Sequence, residues 1–217
     1  MKGGNLKNKK ILVTAGSTWV AIDSVRVITN IFKGKTGVTI AEKASKLGAK
    51  VTLLLGPSFD VSSIKLSKNL NIVRFKFFDD LDRLVSKYLS EEKFDVVIHS
   101  AAVADFRLAE VHNGKIKSNV GELILRLVPT NKIVDGLKKI SPDIFLVKFK
   151  LEVGITPVEL ENVAIKSLKQ SNADLIVANI YNPKFTGHEA YIIDKTGKSV
   201  KVVGLDMISQ VIFNQIP

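Results

Sequence analysis

Asn30, Gly34 and Gly37 close a stretch, residues 11–37, whose residue types and spacing suit the handling of phosphate. An apolar run at residues 11–14 leads into a tight turn at Gly16, and the two later glycines open a helix. A strand, a small-residue turn and an exposed helix start together offer unpaired N–H groups and a partial positive charge. The stretch approaches two known loop patterns and matches neither. A Walker A loop ends as Gly34-Lys35-Thr36 does, but Thr29 occupies the position of its first glycine. The β-branched run Val27, Ile28, Thr29 also resists the positive φ of such a loop. The dinucleotide pattern Gly-x-Gly-x-x-Gly fails at Ser17, Thr18 and Trp19. On these residues alone an ordinary strand-to-helix turn remains an open reading.

Two further clusters could carry chemistry. Ala101, Ala102, Val103 and Ala104 follow an apolar strand and end at Asp105. Small side chains there allow a ligand close to the backbone, with Asp105 facing it; the structural alternative is tight packing with Asp105 as a helix cap. Lys115-Ile116-Lys117 sets two cations on one side of an extended segment within the polar stretch 107–122. Such a segment reads either as a flap over a polyphosphate or as a solvated loop. His99 lies inside an apolar strand and reads as a satisfied core residue, whereas His112 and His188 fall in polar loops. No spacing resembles a zinc site or a Ser–His–Asp arrangement. The chemistry these residues suit is positioning and charge neutralisation.

The elements that must position them alternate in type. Strands are expected at 11–14, 51–55, 72–77, 95–100, 123–128, 144–149 and 175–178. A helix is expected at 37–47, with Ile40, Ala41, Ala44 and Leu47 on one face and Gly48 ending it. A second is capped by Asp79 or Asp80, and a short third turns Ile133, Val134, Leu137 and Ile140 inward. Thr156-Pro157-Val158-Glu159 is a capping box opening a helix that ends near Asn172. Residues 190–193 and 199–203 read as a terminal hairpin before a last helix. Continuous apolar strands alternating with helices imply an α/β, doubly wound, mostly parallel Rossmann-like sheet with a terminal antiparallel hairpin. Ligands then sit beyond the carboxyl ends of the strands.

The totals fit this architecture. The 217 residues are 46% hydrophobic and 24% charged, as in a globular chain, and residues 1–217 read as one domain. With no cysteine, disulfides, thiolate metal sites and cysteine nucleophiles are excluded, which fits a cytoplasmic protein. No apolar run is long enough for a membrane span, and the basic amino terminus leads into a strand, so no membrane partner is expected. The net charge is +11, but the lysines are scattered and aromatics are only 7%, so the expected partners are anionic small molecules and not nucleic acid.

Taken in order, the motifs resemble the phosphopantothenate–cysteine ligase family over residues 10–212. They are Thr14-Ala15-Gly16-Ser17-Thr18, Ile22-Asp23-Ser24-Val25-Arg26, Thr29-Asn30 through Gly34 to Gly37, the run Ala101 to Phe106, Lys115-Ile116-Lys117, and the run Asp174 to Asn179. Lys148-Phe149-Lys150-Leu151-Glu152 matches a further motif loosely. The resemblance implies a two-step reaction of coenzyme A biosynthesis. The carboxylate of 4′-phosphopantothenate attacks the α-phosphorus of CTP or, in eukaryotic relatives, ATP; cysteine then takes the acyl group. It implies Mg2+ as cofactor, no flavin, a stand-alone ligase without the decarboxylase domain, and a homodimer with shared sites. By the family pattern Asn30 and Lys115 are catalytic. Gly16, Gly34, Gly37, Ala101, Asp105, Phe149, Lys166 and Asn179 bind nucleotide, and Asn30, Ala101, Ala102 and Asp105 bind substrate; no residue is expected to ligate metal. Phe32 stands where the family has a serine, Lys148 where it has a glycine, and Asn179-Ile180-Tyr181 where Asn-Asp-Val is common. Those departures motivate a second reading, a non-catalytic nucleotide-binding relative. A third, an NAD(P)-dependent oxidoreductase, lacks its glycine fingerprint and a Tyr-x-x-x-Lys pair.

Overall fold

The structure, a computed structural model, describes residues 6–64, 67–119, 121–184 and 187–217; residues 1–5 of the basic amino terminus lie outside them. In chain order the strands and helices are β1 (Lys10–Ala15), β2 (Trp19–Ala21), β3 (Val27–Thr29), α1 (Lys35–Lys46), β4 (Lys50–Leu55), β5 (Leu70–Arg74), α2 (Phe78–Glu91), β6 (Val96–His99), β7 (Phe106–Leu108), β8 (Leu127–Pro129), α3 (Ile133–Ile140), β9 (Phe145–Glu152), α4 (Pro157–Gln170), β10 (Leu175–Ile180), β11 (Glu189–Asp194), β12 (Ser199–Val203) and α5 (Leu205–Gln215). The main sheet has the order β12-β11-β10-β9-β6-β1-β4-β5. Strands β5 through β10 in that order run parallel, while β11 and β12 are antiparallel. This is the doubly wound sheet with a terminal hairpin that the sequence pattern predicts.

From β1 the chain steps outward through β4 to β5, then crosses to β6 on the other side of β1 and continues outward through β9 to β10. The direction reverses between β1 and β6, and the crevice beyond their carboxyl ends is the natural ligand site of such a sheet. Both faces are covered, which is why β1, β6 and β10 are nearly continuous apolar runs. Ile40, Ala44 and Ile212 of α1 and α5 pack against Val13, Leu53 and Ile98 on one face. Leu81, Leu137 and Leu160 of α2, α3 and α4 pack against Leu12, Val97 and Ile176 on the other. The Thr156 cap of α4 forms as read: its amide donates to Glu159 Oε2 at 2.8 Å, and its hydroxyl accepts from the Glu159 amide at 3.3 Å.

Several local expectations are corrected. The strand predicted at 72–77 stops at Arg74, and Phe77 becomes the residue before α2. Asp80 does not cap by preceding the helix; from its third position it accepts from the amides of Lys76 (3.2 Å) and Phe77 (3.0 Å). The strand predicted at 123–128 shrinks to the short β8, paired with β7, and Ile124 is exposed. Leu47 and Ile140 fall at helix ends and face solvent, not the core. The hairpin β2–β3 and strand β7 had no sequence signal, being three residues per strand.

Candidate functional site

Beyond the switch point two loops zip together. Past β1, Gly16 turns with φ +85°. Its carbonyl accepts the Ala102 amide (3.0 Å), and the Thr18 amide donates back to the Ala102 carbonyl (3.3 Å). Thr18 Oγ1 accepts the Ala104 amide at 2.9 Å. At the base of the β2–β3 hairpin, Asn30 Nδ2 donates to the same Ala102 carbonyl at 3.3 Å. The rim therefore gathers Gly16, Asn30, Ala101 and Ala102, four of the residues singled out from sequence.

Gly34 and Gly37 set the start of α1 onto this rim. Gly34 caps α1 with φ +99° and no side-chain capping bond. A Cβ there would fall 2.7 Å from Gly16 Cα and nearer still to its amide nitrogen. A Cβ on Gly37 would fall 2.7 Å from Ala15 Cβ and collide with the Ser100 hydroxyl. Both glycines serve close backbone packing, and that packing aims the first-turn N–H groups of α1 over the carboxyl end of β1. Those groups have no intrahelical partner, the first turn holds no acidic residue, and Lys33 and Lys35 are exposed beside it. The arrangement suits an anion.

Phe32, in the serine position of the family pattern, packs edge-on against Tyr181 with ring centroids 5.4 Å apart at 87°. The Ser17 hydroxyl donates to the Phe32 carbonyl at 2.5 Å. Since Tyr181 follows β10, the segment from Asn30 to Gly34 arches from β1 towards the far side of the parallel strands. Phe149 and Asn179 are half-buried near the ends of β9 and β10, on the face covered by α1. Lys148 points to the opposite face, where its Nζ donates to the Ser167 carbonyl and Ser171 Oγ, each at 3.0 Å. That substitution leaves the crevice untouched.

Three predicted residues stand apart. Asp105 neither caps a helix nor lies free in the crevice; its carboxylate is paired with Lys132 at the start of α3. Lys166 is exposed, about 14 Å along α4 from its first residue, on a helix leading away from this rim. Lys115 is exposed in a segment tied to the tip of the β2–β3 hairpin, where the His112 amide donates to the Ile22 carbonyl (3.2 Å). The tip lies roughly 10 Å from Asn30 at three residues of strand rise. The sequence-based site list omits Asp23 and Arg26, which anchor that segment from more than eighty residues away.

Below the rim His99 is fully buried, as expected. Thr14 Oγ1 shares a hydrogen bond with His99 Nδ1 (3.0 Å) and accepts the Ala101 amide (3.2 Å). Burial, and then the neighbouring Lys148 charge, push the His99 imidazole down to about 4. An unfolded histidine takes up its proton near pH 6.5, the folded one only near 4, so the unfolded state binds more protons in between. Stability is therefore expected to fall as pH drops through that window, by on the order of 3 kcal/mol. Thermal melts from pH 7 to pH 4 check this; His99→Gln should flatten the slope, and an unaltered slope contradicts it.

Among the described residues no group of three or more His, Asp or Glu side chains could hold a metal, and Asp105 is already engaged. A cavity of about 620 Å³ lies at the opposite rim between residues such as Lys9, Asp95 and Lys138, away from these groups. No helix among the described residues is long and apolar enough to cross a membrane.

A doubly wound sheet with a helix start laid on its switch point defines a Rossmann-like α/β protein. The chain belongs to the family of the DNA/pantothenate metabolism flavoprotein C-terminal domain, whose model matches residues 6–216. It is 41% identical over 175 residues to the coenzyme A biosynthesis bifunctional protein CoaBC of Thermococcus kodakarensis, covering 81% of this chain and 42% of that protein. It is similar to the crystal structure of the DNA/pantothenate metabolism flavoprotein from Streptococcus pneumoniae, with TM-score 0.85, 30% identity, and coverage of 96% and 98%. The crystal structure of the C-terminal domain of a CoaBC protein aligns with TM-score 0.76 and 29% identity, covering 98% of this chain and 96% of that one. The chain spans about half the length or less of the curated bifunctional relatives it matches.

Proposed function

We propose that this chain, acting as one domain, joins 4′-phosphopantothenate to cysteine in coenzyme A biosynthesis through an acyl-nucleotide. A carboxylate oxygen of phosphopantothenate attacks the α-phosphorus of a nucleoside triphosphate, the bond to the β-phosphate oxygen breaks, and pyrophosphate leaves. The cysteine amine then attacks the acyl carbon, the nucleoside monophosphate departs with the acyl C–O electron pair, and the amine gives up its proton. The observation that carries this reading is the uncapped start of α1 laid on Gly16, with Asn30 beside it on the Ala102 carbonyl.

The first step brings an anion to a polyanion, so the site must neutralise and orient charge. The amides at Gly34 to Gly37, with Lys33 and Lys35, take the triphosphate. Asn30 gives a neutral donor to the acyl oxygen, Ala101 and Ala102 leave room for the pantothenate chain, and Phe149 and Asn179 bound the nucleotide. Lys115 closes over the transferring phosphoryl group. CTP is the proposed nucleotide, with ATP as the alternative; Mg2+ would arrive with the triphosphate oxygens, and no step rests on a protein-held ion.

The proposed assembly is a homodimer with shared sites. Val25 (64% exposed) and Ile31 (71%) on the first hairpin, with Phe106 and Leu127 on the second, leave apolar surface for a second copy. The test supplies 4′-phosphopantothenate, cysteine, Mg2+ and either CTP or ATP. Multiple-turnover release of pyrophosphate and CMP or AMP only with both substrates, against at most one equivalent of pyrophosphate per site without cysteine, supports the ligase and identifies the nucleotide; no turnover with either contradicts it.

A further inference from the structure

The Asp23 side chain is fully shielded from solvent, and its two oxygens have separate partners. Oδ1 accepts the amides of Val25 (2.9 Å) and Arg26 (2.8 Å), closing the turn between β2 and β3. Oδ2 accepts the amide of Ile116 at 3.1 Å, 93 residues away, and lies 3.6 Å from Arg26 Nε. Arg26 Nη2 in turn donates to the Ile116 carbonyl at 2.7 Å. Ser24 and Gly114 exchange two more bonds, amide to carbonyl at 3.0 Å and amide to hydroxyl at 3.1 Å.

The turn itself is closed by Oδ1 and by the Ile22 amide donating to the Arg26 carbonyl at 2.9 Å, so the second oxygen and the guanidinium are not needed to make the hairpin. They grip both polar backbone atoms of one residue, the half-buried Ile116. Lys115 and Lys117 are left exposed on either side. A shielded carboxylate is tolerated only when its oxygens are satisfied, and here a distant peptide does so. The Val25 amide, with those of Ile116 and Arg26 and the Arg26 charge, holds the carboxyl below its ordinary value against the opposing effect of desolvation. The clasp therefore keeps its charge at neutral pH.

We propose that Asp23 is the positioning residue for Lys115, fixing the backbone of Ile116 so that only the Lys115 side chain has to swing towards the phosphates. This rests on the role assigned to Lys115 above. Asp23 does not touch substrate; it acts through one peptide group.

Asp23→Asn separates this role from a merely structural one. The amide keeps an oxygen for the Val25 and Arg26 amides but turns an NH2 towards the Ile116 amide and Arg26, setting donor against donor. In the pyrophosphate-releasing half-reaction the variant is expected to lose about 10- to 100-fold in kcat, with the nucleotide KM within about threefold of wild type. Hydrogen exchange at the Ile116 amide should accelerate while the β2–β3 amides stay protected. In single turnovers Asp23→Asn should add no further loss to Lys115→Gln. Wild-type kcat despite fast exchange at Ile116, or losses that multiply in the double variant, would overturn the proposal. Should Asp23→Asn fail to fold, Ser24→Ala removes only the hydroxyl that accepts the Gly114 amide and leaves the Ser24 amide on the Gly114 carbonyl; a kcat loss at constant KM supports the clasp, and an unchanged kcat overturns it. A Lys115→Gln enzyme running at wild-type rate would instead sink the role of Lys115 itself.

Discussion

Lys115→Gln is expected to slow acyl-nucleotide formation by about 10²- to 10³-fold, the loss typical when one preorganised charge-stabilising donor is removed. The ammonium is the one group in the proposed mechanism that moves onto the transferring phosphoryl, so its loss should appear in kcat more than in KM. Folding should be unaffected, because Lys115 is exposed and its segment is held through backbone atoms. Melting temperature should therefore match wild type within about a degree or two, as for most surface substitutions. Lys115→Arg keeps the charge but exchanges a compact ammonium for a planar fork, and should recover only part of the rate. Single-turnover release of pyrophosphate measures both variants. Full activity in Lys115→Gln would remove this residue from the chemistry.

Gly34→Ala is expected to damage fold and function together. Its φ of +99° is strained for any L side chain, and the added carbon would lie 2.7 Å from Gly16 Cα. Neither obstacle is a flexible side chain that could turn aside. Backbone strain and overpacking each cost roughly 1–3 kcal/mol, so the sum is about 2–6 kcal/mol out of a typical 5–15. The melting temperature should fall by about 10 °C. Relief by backing α1 off the rim would displace its first-turn amides, so the nucleotide KM of the surviving folded protein should rise. Thermal melts and nucleotide titration check the two parts; an unchanged melting temperature and KM would show that the contact of α1 with Gly16 is dispensable.

Legibility in the sequence follows the range of the interactions. Strands β1, β4, β6 and β10 announce themselves because both their faces are buried, leaving near-continuous apolar runs. The start of α4 is equally clear because its signal is four consecutive residues. The β2–β3 hairpin and strand β7 were hidden: three residues are too few to show alternation, and Ile28 and Phe106 face solvent. Leu47 and Ile140 continue a helical period one step past the last residue that packs. At the site, Gly16, Asn30 and Gly34 could be read because they lie within one strand–turn–helix stretch. The grip of Asp23 on Ile116 and the contact of Phe32 with Tyr181 join distant segments. No local pattern encodes them; only the fold brings those residues together. Lys148 shows the converse, a departure in a motif that the alternation of β9 turns away from the crevice into α4.

The central claim is that the rim formed by Gly16, Asn30, Ala102 and the start of α1 makes an acyl-nucleotide. The most direct measurement omits cysteine: the protein is mixed with 4′-phosphopantothenate, Mg2+ and α-labelled CTP or ATP, quenched, and analysed by mass spectrometry. A labelled phosphopantothenoyl-nucleotide is predicted, formed with one equivalent of pyrophosphate and converted to amide and nucleoside monophosphate when cysteine is added. Bound triphosphate that stays intact with both nucleotides, under conditions where the protein is folded, would contradict it.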